Sequence, residues 1–95
     1  MVNQEDISVI RNAAAVTAEI GGQLVALDVQ KGTCYGLNGV ATRIWNMIEA
    51  PMRAADICDR LCEVYDVDRD ECLAQTTGLL AELQAAGLAH PASRT

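Results

Sequence analysis

Residues 24–48 read LVALDVQKGTCYGLNGVATRIWNMI, and a change of period inside this stretch decides the fold. In its first half, QLVALDV (23–29) and TCYGL (33–37) are short apolar runs separated by Gln30-Lys31-Gly32. Runs of that length bounded by glycine turns are strands, and Val25 and Leu27 share one face by the period of two. The second strand is only about 17 Å long. At Asn38 the period switches. Asn38 is a good N-cap, and Val40, Ile44, Trp45 and Ile48 then recur on one helical face until Pro51 stops the run.

Working outward, AAAVTAEI (13–20) is a further strand, joined to 23–29 by Gly21-Gly22, a pair suited to a primed two-residue turn. Downstream, Ile57, Leu61 and Val64 mark a helix over about 54–65, with Cys58 and Cys62 beside them. Asp66-Val67-Asp68 breaks the pattern and can cap a third helix running to about Ala86, with Leu73, Thr76, Thr77, Leu80 and Leu83 turned inward. Gly87 is a natural residue to follow its end, with Leu88 making the accompanying apolar contact. The expected architecture is α+β: a three-stranded antiparallel sheet followed by a three-helix unit, similar to a winged helix-turn-helix. A single domain over 13–89 is expected, with a flexible N-terminus (1–12) and a flexible tail (90–95).

Composition narrows the function. Ninety-five residues make one domain, burying roughly 65% of the unfolded surface. Tyr35, Trp45 and Tyr65 are the only aromatics, so Trp45 is the one large piece of an otherwise aliphatic core. Thirteen acidic against seven basic residues give a net charge of -6, which disfavours a nucleic-acid partner because phosphate binding needs Lys and Arg. No apolar run approaches a membrane span and no basic-then-apolar start marks a secretory signal, so a cytoplasmic protein without a membrane partner is expected.

The inventory for catalysis is thin. His90 is the single histidine and falls in the expected tail. Glycine pairs lack the context of a phosphate loop, and no carboxylate pair stands out. Cys34, Cys58, Cys62 and Cys72 are read as reduced, small buried hydrophobes, since zinc sites use tighter C-x₂-C knuckles than Cys58-x-x-x-Cys62. No enzyme, cofactor or metal is expected.

Two glycines stand out, each either relieving local crowding or marking a groove. Gly36 sits inside a strand and Gly78 inside a helix, where each weakens its element, and strand glycine often accompanies close backbone approach. If the strand 33–37 lies at a sheet edge, a groove between it and the third helix could accept a peptide as an extra strand.

The ordered set Leu27-Asp28, Lys31-Gly32, Tyr35-Gly36-Leu37-Asn38 and Ile44-Trp45, continued by Ala50-Pro51, EVYDVD (63–68) and LLAELQAAGL (79–88), resembles the PqqD-like peptide chaperones, the RiPP recognition elements. The resemblance covers about 13–89, and the Tyr-Gly-Leu-Asn form looks closer to the stand-alone members of lasso-peptide pathways than to PqqD itself. It implies a non-catalytic protein that binds the leader segment of a ribosomally made precursor peptide. The leader would be delivered to a modifying enzyme, either a leader peptidase and cyclase or a radical-SAM protein. Carried onto this chain, the docking edge is Thr33, Cys34, Tyr35, Gly36 and Leu37, and the helix wall is Leu73, Thr76, Thr77 and Leu80. Gln75 and Gly78 depart from the family pattern, and the small Gly78 with the Thr76-Thr77 pair implies a roomier, more polar groove. A homodimeric module pairing through the same strand edge and a winged-helix regulator are the alternatives, and a monomer or weak homodimer is expected.

Overall fold

A computed structural model describes residues 7–92. The chain runs β1 (Ser8–Arg11), β2 (Val16–Ile20), β3 (Gln23–Asp28), β4 (Thr33–Leu37), α1 (Gly39–Met47), β5 (Met52–Arg53), α2 (Ala54–Val64), α3 (Arg69–Ala85) and β6 (Ala89–Pro91). The strands form two antiparallel sheets, ordered β2-β3-β4 and β5-β1-β6. The α+β class holds, and the central meander is the one expected.

Local chemistry explains these elements. Gly21 and Gly22 both have positive φ, so the β2–β3 turn is of the primed type, closed by Ile20 opposite Gln23. Asn38 caps α1, its side chain accepting the Ala41 N–H at 2.8 Å, and Asp68 caps α3 by accepting the Glu71 N–H at 3.1 Å. At the other end of α3, Gly87 (φ 78) lets its N–H bond the Gln84 carbonyl while Leu88 N–H returns to the Leu83 carbonyl. That is a Schellman ending, and Leu88 is fully buried beneath it.

The core gathers Trp45, Ile44 and Ile48 of the α1 segment, Ile57, Cys58 and Leu61 of α2, Leu80 and Leu83 of α3, Leu88 of the link that follows it, and Val9 and Ala89 of the second sheet. Each fully buried Leu or Ile stabilises the fold by about 1.5–3 kcal/mol.

Three expectations need correcting. Residues 1–12 were expected to lack structure and 90–95 to form a tail, yet 8–11 and 89–91 are strands paired with each other through Val9–Pro91, Ile10–His90 and Arg11–Ala89. Each strand is too short to show a period, and each exists because the other covers it. Residues 1–6 and 93–95 lie outside the described residues. Val40, placed on the inward face of α1, is 41% exposed, and Ala41 takes the buried position. Cys34 is exposed and Cys62 half-buried, so only Cys58 and Cys72 are core thiols.

Asn12, in the segment expected to be loose, ties the two halves together. Its side-chain amide donates to Gly87 O at 3.0 Å and to the Asp28 carboxylate at 3.4 Å. Asp28 is itself buried and accepts the Gln30 and Lys31 N–H groups at 3.1 and 3.2 Å. The Leu-Asp pair of the sequence therefore holds the β3–β4 turn, and through it the position of β4.

Candidate functional site

β4 is the outer strand of its sheet, hydrogen-bonded to β3 on one side and open on the other. Hairpin geometry says which of its groups are free. The two-residue β2–β3 turn makes Ile20–Gln23 a hydrogen-bonded pair, so Gln23, Val25 and Leu27 bond β2 and the alternate residues bond β4. Through the pairs Leu24–Leu37, Ala26–Tyr35 and Asp28–Thr33, the peptide groups of Thr33, Tyr35 and Leu37 are used within the sheet. Those of Cys34 and Gly36 face the open edge: two N–H and two C=O groups without a strand partner.

Facing this edge is α3, and between them lies a cleft of about 260 Å³. Tyr35 and Gly36 line the strand side, Val40, Ala41 and Ile44 the floor from α1, Leu61 a side from α2, and Cys72, Gln75, Thr76 and Leu79 the helix wall. The spacing i, i+3, i+4, i+7 is one face of α3. A second hollow of about 300 Å³ shares Val40, Leu61, Cys72 and Gln75 and continues towards Tyr65, Val67, Asp68 and Glu71. The two make one channel with an apolar centre and an acidic outer end.

The residues expected at the site divide. Tyr35, Gly36 and Thr76 line the cleft. Leu37 is 2% exposed and belongs to the core, setting the strand rather than presenting a side chain. Thr33 is half-buried, and its Oγ1 is buried with no hydrogen-bond partner among the described residues. Cys34 points its side chain to solvent and brings only its backbone to the edge. Leu73 packs at the core margin. Thr77 and Leu80 lie on the opposite flank of α3, lining a separate hollow of about 240 Å³ with Val9, Gln84 and Pro91.

The helix wall that the sequence indicated is therefore split between two flanks, because β1 and β6 cover one of them. Cys72, Gln75 and Leu79 were missed, although their spacing with Thr76 is equally helical. Gly78 is exposed and a Cβ there would meet nothing, so it does not widen the cleft; a Cβ at Gly36 would meet only the tip of the Gln23 side chain, 2.7 Å away.

One polar contact spans the cleft. Tyr35 Oη donates to Glu82 Oε1 of α3 at 2.5 Å. That hydrogen bond, helped by partial burial and by the nearby negative charge, raises the Tyr35 phenol above the usual tyrosine value, so it remains a donor. Behind the helix wall, Cys58 Sγ lies 3.6 Å from Thr76 Oγ1. Burial chiefly raises the Cys72 thiol, with a hydrogen bond to Cys58 next, and burial also raises Cys62 beside it. Cys62 and Cys72 therefore stay protonated, and with Cys58 they pack as small, weakly polar side chains.

His90 is exposed on β6, its Nδ1 3.2 Å from the Pro91 carbonyl oxygen. Among the described residues, no group of three or more His, Cys, Asp or Glu side chains is placed to hold a metal. No helix among them is long and apolar enough to cross a membrane.

An open sheet edge set across a cleft from a helix defines a small α+β domain suited to taking up an extended chain. The sequence from 23 to 89 matches the family of coenzyme PQQ synthesis protein D (PqqD). Among solved structures, TbiB1 in complex with the TbiA(beta) leader peptide is 32% identical, with 90% of this chain and 99% of that chain covered and a TM-score of 0.75. Lasso peptide synthetase B1 complexed with the leader peptide is 24% identical, with 87% and 98% covered and the same TM-score of 0.75, a likeness of fold. No curated protein matches. This chain belongs to the PqqD family.

Proposed function

We propose that this protein is a non-catalytic cytoplasmic carrier that binds the leader segment of a ribosomally made precursor peptide and presents it to a modifying enzyme. The leader adds as a strand to the open edge of β4, bonded to the peptide groups of Cys34 and Gly36. Its inward side chains lie against Tyr35 and the α3 face formed by Cys72, Gln75, Thr76 and Leu79. The observation that carries this reading is the open β4 edge across a cleft from α3, in a chain 32% identical to a protein solved with a leader peptide. The partner enzyme on this reading is a leader peptidase and cyclase or a radical-SAM protein of the same pathway.

Magnitudes agree. Four edge hydrogen bonds at about 1 kcal/mol net each give about 4 kcal/mol. Micromolar affinity needs about 8 kcal/mol. Apolar side chains entering the cleft supply the difference, and they set sequence choice because the ladder is the same for any peptide.

The test is an amide NMR titration with the synthetic leader of the precursor encoded beside this protein, and with the TbiA(beta) leader as a second probe. Shifts on 33–37 and 72–79 that saturate at micromolar peptide are expected. A well-folded spectrum unmoved by either peptide overturns the reading. If light scattering also shows a stable dimer, the edge belongs to a second copy of this chain.

A further inference from the structure

β4 and α3 are the two walls of the cleft, and among the described residues a single hydrogen bond joins them, from Tyr35 Oη to Glu82 Oε1. Both ends are set up for it. The Tyr35 ring packs on the core margin, and across the sheet it faces Ala26, a small and fully buried side chain. Glu82 lies one turn beyond Leu79, the last α3 residue lining the cleft, and is otherwise exposed. No Lys or Arg among the described residues pairs with it. A glutamate on an exposed helix face normally stays solvated and keeps its rotamer freedom. Here it is committed to a phenol across the cleft.

A bound strand must satisfy two distances at once. Its backbone must lie about 4.8 Å from β4 while its inward side chains touch α3. Walls free to drift apart can meet one requirement but not both. We propose that the Tyr35–Glu82 hydrogen bond fixes the spacing of β4 and α3, making Glu82 a positioning residue for leader binding that acts through Tyr35. This inference rests on the reading of the cleft as a leader site. A preset spacing removes ordering cost that the leader would otherwise bear on binding.

The test is a double-mutant cycle on leader affinity, read by fluorescence anisotropy of the two leader peptides named above. Tyr35→Phe keeps the ring and loses the donor; Glu82→Ala loses the acceptor; Glu82→Gln keeps an acceptor oxygen. The single variants Tyr35→Phe and Glu82→Ala are each expected to weaken binding about three- to tenfold, the scale of one hydrogen bond. The double variant is expected to be no weaker than either single, and Glu82→Gln to stay within about twofold of the wild type. Non-additivity and the glutamine rescue are readouts that a general loss of stability would not give, and melting temperatures recorded alongside separate the two. Additive losses mean that each side chain touches the leader on its own, and they overturn the inference. So does unchanged or tighter binding in either single variant, the latter marking the bond as an obstruction. A wild-type protein that binds neither leader is a different outcome, which removes the leader reading and this inference with it.

Discussion

Replacing Gly36 by proline tests the docking edge with little disturbance of the fold. The Gly36 N–H faces away from β3, so proline removes no bond from the existing ladder. The residue is not among those with positive φ, so the fixed proline φ is not opposed by a left-handed backbone. The one near neighbour of a new Cβ is the amide tip of Gln23 at 2.7 Å, an exposed, flexible group that can swing aside.

The consequence for a bound strand is different. One ladder bond of about 1 kcal/mol is lost, and a leader carbonyl is left unpaired at a further cost of about 1–3 kcal/mol. The sum, about 2–4 kcal/mol, corresponds to a Kd raised roughly 30- to 1,000-fold. Calorimetric titration with the leader measures it, with Gly36→Ala as the control that keeps the N–H and binds within a few-fold of the wild type. Leu37→Pro is no substitute, because Leu37 is buried and its N–H bonds β3. A folded Gly36→Pro protein with undiminished leader affinity refutes strand addition at this edge.

Other outcomes follow from the same geometry. Asp28→Ala removes the acceptor of two turn N–H groups and of the Asn12 amide and is expected to cost about 2–3 kcal/mol, because exposed turn groups regain water. For a domain of this size that lowers Tm by roughly 10–20 °C in a thermal melt, with Asp28→Asn milder. Gly87→Ala forces a left-handed residue and brings a Cβ within 2.9 Å of Lys31 Nζ; a loss of about 1–2 kcal/mol in urea unfolding is expected, and an unchanged midpoint would contradict the Schellman ending. Alkylation of native protein near neutral pH, followed by mass spectrometry, should label Cys34 first and Cys58 and Cys72 only on unfolding. Leader should slow the labelling of Cys34 by covering its strand edge.

Much of the fold was legible because its signals are local. The β4 boundaries, the Gly21-Gly22 turn, the Asn38 cap and the ending at Gly87-Leu88 are each decided within a few residues. The second sheet was not legible, since four, two and three residues carry no period and β6 includes Pro91. Half of the cleft was hidden for a related reason. α3 spreads Leu73, Leu79, Leu80 and Leu83 around its cylinder, so no single apolar stripe separates the flank under β1 and β6 from the flank facing β4. The strand side of the cleft needed only alternation; the helix side needed knowledge of what covers the other flank.

The pairing of β1 with β6 sets an order of assembly. β2, β3 and β4 close through short turns, whereas Val9 meets Pro91 and Asn12 meets Gly87 only after nearly the whole chain is in place. Contacts so distant in sequence form late, after local hairpins. During synthesis the edge of β4 therefore exists before α3 stands opposite it, as a bare strand that any extended chain could pair with. On the leader-binding reading proposed above, choice of the right peptide would be acquired at the last step of folding, when the final strand docks and the helix wall comes to rest.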